Sequence, residues 1–396
     1  MSRRLRIALV IESSRAYGRK LLDGVADYAR AYGPWTFHHG ERSIDDPIPA
    51  GLRRWKPDGV IVRLVNRAQA RDIRRLGAPT VDVLGEFVCA GVPQVVPDQR
   101  AIVRAAMDHL LGRGLRQLAY AGFADVAFSQ ERCKEFVQYA KARGVATSVL
   151  RDRPGRRGVG LAGVEEATLR HDTELAAWLK ALPQPIGLLA CNDMRAYQVM
   201  SVCGECGILA PEQIAVIGVD DDPVLCKLSD PPLSSVDPDA HHIGYEAAAT
   251  LHRMIQGARR LRAIQRIEPR GVVARQSTDI LAIADPEVVA AVRCIREHAC
   301  EGLTTDALVE ELAVSRRTLY RWFEQYLGHS PAEEITRVRL ERVKDLLATT
   351  DLPADEIAGL AGFAYPETMH RLFRKRVGQP PGAYRAHKRL HNPGGS

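Results

Sequence analysis

The chain has 396 residues, 26% of them charged and 46% hydrophobic, with a formal net charge of +7. That length exceeds the usual single domain, so two or three domains are expected, each able to bury its own core. No run of eighteen apolar residues exists to span a bilayer, and the basic balance fits a nucleic-acid partner without demonstrating one.

The opening residues run from Arg3-Arg4-Leu5-Arg6 into a short apolar segment, Ile7 to Ile11, which Glu12 and Ser13 end before any small-residue cleavage site. This reads as a first strand rather than a secretory signal. The cysteines are scattered singly apart from Cys203-x-x-Cys206, which has no second pair and no nearby histidine. Neither a disulfide framework nor a metal site is expected, and a reducing, cytoplasmic location follows.

Over the first two-thirds, apolar runs rich in Val, Ile and Leu alternate with helix-like stretches, the pattern of parallel strands joined by crossover helices. The runs are Arg6 to Ile11, Gly59 to Leu64, Pro79 to Leu84, Gln117 to Gly122, Val145 to Leu150, Ile186 to Cys191 and Ile214 to Asp220. Helices are predicted at Lys20 to Arg30, Ala101 to Gly112, Gln130 to Ala142, Thr173 to Leu182, Met194 to Gly204 and Ile243 to Ile255. The runs are too many for one small sheet, so the expected fold is α/β, with parallel sheets in two lobes. Ligands of such sheets sit beyond the carboxyl ends of the strands. Glu12, Ser13, Ser14, Arg15, Asp98, Phe123, Asn192, Asp193, Arg195 and Asp220 to Asp222 follow the runs. Carboxylates, guanidinium forks and an aromatic face suit a polyol or sugar, although Asp and Ser after a strand also cap helices.

Two other features read as structural. His38-His39 and His241-His242 lack an acidic or cysteine partner at ligand spacing. Gly158-Val159-Gly160-Leu161-Ala162-Gly163 matches the dinucleotide fingerprint, but Asp152 to Arg157 separate it from the nearest apolar run, so no cofactor is expected.

A boundary falls near Ala282 to Pro286, giving a sensor at 1–280 and a helical domain at 285–390. Asp285-Pro286 opens a helix burying Val288, Val292, Ile295 and Ala299; Thr304-Thr305-Asp306 can cap a short one with Leu308 and Leu312 inward. Ser315 then caps a helix with Leu319, Trp322 and Phe323 inside and Arg316, Arg317, Tyr320 and Arg321 outside, the arrangement of a recognition helix. Ser330-Pro331-Ala332-Glu333 opens a long connector. The pattern repeats, with Met369, Leu372 and Phe373 inward and Glu367, Thr368, Arg371, Arg374 and Lys375 on or near the exposed side.

From Asp285 to Arg389 the chain resembles the AraC/XylS class of regulators, through Ser315-x-x-x-Leu319-x-Arg321-x-Phe323, Gly328-x-Ser330-Pro331, Arg339-Leu340-x-x-Val343, Ile357-Ala358, Gly362-Phe363, Phe373-Arg374, Gly378-x-Pro380 and Tyr384-Arg385. It departs from that pattern at Ala313, Tyr365-Pro366 and Met369. The resemblance implies two recognition helices entering successive segments of the major groove of double-stranded DNA. Cys191-Asn192-Asp193-Met194-Arg195-Ala196 and Ile214-x-Val216-Ile217-Gly218-Val219-Asp220-Asp221 resemble the sugar-binding module of LacI-type repressors and periplasmic binding proteins. With this order of domains, and with Arg15-Ala16-Tyr17-x-Arg19 and Gly24-Val25, the chain is similar to the XylR-type, xylose-responsive activators.

That likeness implies a monosaccharide effector, xylose or a related sugar, held by Arg195 and Asp221, then Asp98, Arg19 and Phe123. It also implies a homodimer, transcription activation through RNA polymerase, and no catalytic residues. The competing expectations are an α/β enzyme fused to a DNA-binding unit, a regulator of a non-sugar ligand, and a constitutive DNA binder with an inert sensor. No Walker loop, well-placed dinucleotide fingerprint or nucleophile elbow supports the enzyme.

Overall fold

A computed structural model describes residues 3–44, 46–85, 87, 89–124, 126–152, 173–258, 261–279 and 285–390; the glycine fingerprint at Gly158 to Gly163 lies outside them. The chain divides into two compact units, Met1–Ala282 and Ile283–Ser396.

The first unit holds two parallel-sheet lobes, the α/β architecture that the alternating pattern implied. Strands β1 (Leu5–Val10), β2 (Trp35–His38), β3 (Gly59–Val62), β4 (Thr80–Asp82) and β5 (Gln94–Pro97) build the first sheet. Strands β6 (Gln117–Phe123), β7 (Ala146–Asp152), β8 (Ile186–Ala190), β9 (Ile214–Val219) and β10 (Ser234–Asp237) build the second. β11 (Ile264–Ile267) returns to the first sheet and β12 (Gly271–Val273) to the second, in the orders β11-β5-β4-β3-β1-β2 and β12-β10-β9-β8-β6-β7. β12 runs antiparallel to β10, and the other described pairings are parallel.

The strands β2, β5, β10, β11 and β12 were not foreseen. Each has three or four residues, too few to establish a period. They complete the lobes, because the chain passes between sheets after β5, after β10, and again from β11 to β12. After β5, the helix Gln99–Gly112 buries Ile102, Val103, Ala106 and Leu110 against the second sheet. After β10, the helix Ala240–Ile255 buries Ile243, Ala247 and Leu251 against the first. That helix packs on Ala16–Tyr32 at backbone contact. A Cβ on Gly24 would lie 1.9 Å from the His241 carbonyl oxygen, and one on Gly244 would lie 2.0 Å from that of Leu21.

The second histidine pair does have acidic partners, one from a distant helix and two at helical spacing in its own. His241 Nε2 lies 2.9 Å from Asp27, and His242 lies near Asp239 and Glu246. The first ties the helix Ala240–Ile255 to Ala16–Tyr32, and the others lie within the helix Ala240–Ile255 and its cap. Cys203 packs in the core of the second lobe.

The second unit is helical: Pro286–His298, Thr305–Glu311, Arg316–Leu327, Pro331–Thr349, Ala354–Leu360, Pro366–Val377 and Pro381–Leu390. Side chains cap four of its described helix starts. Asp285 accepts from Glu287 N at 3.0 Å, Thr304 from Ala307 N at 3.2 Å and Ser315 from Thr318 N at 3.0 Å, while Ser330 and Glu333 form a reciprocal capping box. The long helix Pro331–Thr349 serves two cores. Ile335 joins Leu308, Leu319 and Phe323, and Leu340, Val343 and Leu347 join Ile357, Met369 and Phe373. Between them Arg339 donates to the carbonyls of Ala299 at 2.7 Å and Leu303 at 3.0 Å, fastening connector to first helix.

Candidate ligand cleft and nucleic-acid interface

The strand ends of the two lobes supply a cluster of charged and aromatic side chains. From the first lobe come Glu12, Arg15 and Tyr17 after β1, and Arg63 after β3. From the second come Phe128 and Arg132 on the helix Ala127–Arg143, Asn192 after β8 and Asp220 after β9. Arg15, Tyr17, Arg63, Gln99, Phe128, Arg132, Asn192 and Asp220 line an inner recess of about 40 Å³. Arg15, Tyr17, Asn192 and Asp220 also border a wider mouth of about 380 Å³, within the range of small-molecule sites.

Two of the cations in this cleft, Arg63 and Arg132, are held in place. Arg63 is buried, pairs with buried Glu12 and lies 5.0 Å from the centre of the Tyr17 ring. Arg132, also buried, donates through Nε to Gln99 Oε1 at 2.7 Å and through Nη1 to the Cys191 carbonyl, and lies 5.0 Å over the Phe128 ring. Burial pushes the Asp220 carboxyl up to about 6, against the opposing pull of Arg132, Arg63, Lys20 and Arg15. Burial, reinforced by the charge of Asp220, also raises Asp193 well above the usual carboxylate range. Asp193 accepts from Ser235 Oγ at 2.6 Å and from Asp222 N at 2.7 Å, so it braces the wall. Fixed guanidinium forks donate, the Asp220 carboxylate accepts, and the Tyr17 and Phe128 rings offer apolar faces. That combination matches a small molecule dense in hydroxyl or carboxylate groups.

The five residues singled out from the sequence take different places. Arg19 is at the mouth, donating to the Ser13 carbonyl at 2.8 Å. Arg195 is fully buried behind the wall, 5.3 Å over the buried Phe123 ring and donating to Gln198 Oε1 at 3.1 Å. Asp98 caps the helix Gln99–Gly112 by accepting from Ala101 N at 3.0 Å. Asp221 pairs with Arg275 Nη2 at 2.7 Å, while its neighbour Asp220 lines the recess. Arg63, Gln99, Phe128 and Arg132 were not foreseen as lining. An Arg in the middle of a helix or ending an apolar run reads as solvent-facing until its sequence-distant partners are in place.

In the second unit, Leu319, Trp322 and Phe323 are buried under the helix Arg316–Leu327. Arg316, Arg317 and Arg321 are exposed and Tyr320 is half-buried. Arg316 pairs with Asp306 at 2.7 Å and lies 5.7 Å from the Tyr320 ring. Pro366–Val377 repeats the design, with Met369 and Phe373 buried, Glu367, Arg371 and Arg374 exposed and Thr368 half-buried. Glu367, His370, Arg371, Arg374 and Lys375 border an open groove; His370 extends the exposed set read from the sequence. Two helices thus present cationic outer faces, the chemistry that neutralises phosphates and reads guanine edges.

Comparison with known proteins gives this geometry a family. Residues 107–278 match the family described as periplasmic binding protein-like domain, and residues 308–387 match the helix-turn-helix domain family. Residues 288–325 also match bacterial regulatory proteins of the tetR family. The xylose operon regulatory protein of Escherichia coli K12 is 31% identical over 396 residues, 97% of each chain. That of Haemophilus influenzae is 27% identical over 388 residues, 96% of this chain and 98% of its own. A solved structure of the xylose-binding transcription activator xylR superposes with a TM-score of 0.80 at 28% identity, covering 98% of this chain and 99% of its own. A LacI family regulator from Enterococcus faecium with bound ribose shares the sensor fold, with a TM-score of 0.56 at 19% identity over 70% of this chain and 99% of its own. With relatives along nearly its whole length and both units in the same order, the chain belongs to the family of the xylose operon regulatory proteins: DNA-binding transcription regulators with a periplasmic-binding-protein-like sensor ahead of an AraC-type helix-turn-helix unit.

Proposed function

We propose that this chain activates transcription in the cytoplasm in response to a monosaccharide, xylose or another pentose, which binds between the two sensor lobes. It does so as a homodimer that recruits RNA polymerase, and its sensor binds rather than transforms the sugar. Arg15, Arg63, Arg132, Asn192 and Asp220 contact the effector. Arg195 and Phe123 stiffen the wall behind them, Asp98 anchors the helix that starts at the cleft, and Arg19 stands at its mouth. Arg316, Arg317, Tyr320 and Arg321, with Glu367, Thr368, Arg371 and Arg374, face the DNA. The observation that carries this reading is the recess itself: Arg forks, a carboxylate and two aromatic rings converge there, in a chain whose full-length relatives are named as xylose operon regulators.

A sugar acid is the second reading, favoured by three guanidiniums and one carboxylate on the recess. A thermal-shift panel of pentoses, hexoses and sugar acids separates the two, because a bound ligand stabilises the folded state by mass action. A pentose is expected to give the largest shift, and Arg132→Ala is expected to lose most of it. A panel in which no sugar or sugar acid raises the melting temperature would overturn the assignment of the cleft.

A further inference from the structure

The last described stretch of the sensor before the DNA-binding unit, Arg275 to Asp279, is pinned to the second lobe. Ser277 is fully buried; its Oγ donates to the Val216 carbonyl at 2.6 Å and accepts from Ser234 N at 2.8 Å. Thr278 Oγ1 lies 2.8 Å from His109 Nε2 and 2.7 Å from Ser234 Oγ. Arg113 donates to the Thr278 carbonyl at 2.8 Å and to the Asp279 carboxylate at 3.3 Å. The segment therefore moves with the second lobe, and the chain reaches Asp285, the cap of the first DNA-unit helix, soon after Asp279.

Arg275 ties this segment towards the cleft. Its Nη2 donates to Asp221 Oδ1 at 2.7 Å and its Nη1 to the Leu233 carbonyl at 2.9 Å. Asp221 adjoins Asp220, which lines the recess. Both have positive φ, 115° at Asp220 and 48° at Asp221. Side chains with a Cβ rarely adopt that region unless neighbours hold them there. One such neighbour comes from the first lobe. Lys20 Nζ donates to the carbonyls of Asp220 at 3.0 Å and Asp221 at 2.8 Å, and stands 3.9 Å from the Asp221 carboxylate. Lys20, Asp221 and Arg275 are each only partly exposed, so salt screens these contacts less than surface pairs. A first-lobe cation thus clamps a strained second-lobe turn whose side chain holds the segment leading out of the sensor.

We propose that Lys20, the Asp220-Asp221 turn and Arg275 form a relay that reports lobe closure to the segment entering the DNA-binding unit, with Arg275 as a positioning residue. The regulatory meaning of this relay rests on the reading of the cleft as the effector site. Closure seats Lys20 on the turn. Opening withdraws it, the turn relaxes from its unfavourable φ values, and Asp221 loosens its hold on Arg275. A plain staple would behave differently, since Arg275 would then anchor the segment regardless of Lys20.

Amide hydrogen exchange on the full chain, with the most stabilising sugar bound so that the lobes are closed, separates relay from staple. Lys20→Met and Arg275→Gln are both expected to accelerate exchange at 275–279 several-fold, with Arg275→Lys falling between Gln and the natural chain. Natural rates at 275–279 in Lys20→Met, together with fast exchange in Arg275→Gln, would leave only the staple and overturn the relay. In the presence of the most stabilising sugar, Arg275→Gln is expected to keep its thermal shift yet lose most of the sugar-dependent change in DNA affinity. Full retention of that change also overturns the relay. A natural chain that no sugar stabilises overturns the cleft assignment and with it the relay's regulatory meaning, whereas natural exchange in Lys20→Met with sugar bound overturns the relay alone.

Discussion

Asp220 meets the cleft with a carboxyl whose proton is held up to about 6 by burial, despite four nearby cations. An ordinary carboxyl titrates near 4. Because the folded-state value is raised, the folded chain binds the proton more tightly than the unfolded one, so this group's contribution to stability falls as pH rises from about 4 through 6. Effector binding is expected to run the opposite way, since an ionised carboxylate accepts hydroxyl protons more strongly than a protonated carboxyl does. The sugar-induced thermal shift is expected to grow between about pH 5 and about pH 7.5, and Asp220→Asn is expected to flatten most of that growth. An unchanged pH profile in the Asn variant would move the titration to another group, with Asp193 the first to examine. The sequence brought attention to Asp220, Asp221 and Asp222 together without separating their roles. Resemblance alone favoured Asp221, whereas the positive φ values after β9 place Asp220 on the recess and Asp221 against Arg275. No local pattern encodes that half-turn. Arg63 and Arg132 escaped for a related reason: each is made a site residue by partners distant in sequence, Glu12 and Gln99.

Recognition helices are set by short-range signals, which is why they were legible. Ser315 caps the first through Thr318 N, Pro366 opens the second, and the inward residues recur at helical spacing. Arg317 and Arg371 occupy the exposed faces of the two helices. Arg317→Ala and Arg371→Ala are each expected to weaken specific DNA binding by about 1–3 kcal/mol while leaving the sugar-induced thermal shift intact. Binding measured at fixed salt on specific and nonspecific duplexes checks this, because a residue that touches only phosphate weakens both alike. Equal losses on the two duplexes would reassign these side chains from base reading to backbone contact. The sensor's elements were less evenly readable. Long central strands such as β6 and β9 announce themselves as apolar runs, whereas β11 and β12 are mostly exposed or half-buried and very short. The backbone contact of Gly24 and Gly244 was equally hidden, since each glycine on its own reads as a tolerated interruption of a helix.

At the scale of the whole molecule, a cleft that holds one ligand and a helical unit that holds another share a single chain, and the segment 275–279 is the last described part of the sensor on the route between them. The order of the units was plain in the sequence, because each carries its own motifs. The coupling was not, because Lys20 and Arg275 lie near opposite ends of the sensor and meet only through the Asp220-Asp221 turn. Thermodynamic linkage makes the coupling measurable without knowing its route. If the sugar changes DNA affinity by some factor, saturating DNA must change sugar affinity by the same factor, typically about 5–150-fold for an allosteric pair. Calorimetric titration of sugar into the chain, with and without saturating operator duplex, is expected to show that reciprocal change in the natural chain and a much smaller one in Arg275→Gln. Identical sugar affinity with and without DNA would mean that the units act independently, and the cleft would then have no part in controlling DNA binding. A reciprocal change that grows with protein concentration would instead place dimer formation within the linkage, since assembly that favours one state adds its own mass-action term. Repeating the titration over a range of chain concentrations therefore distinguishes coupling within one chain from coupling through a second copy.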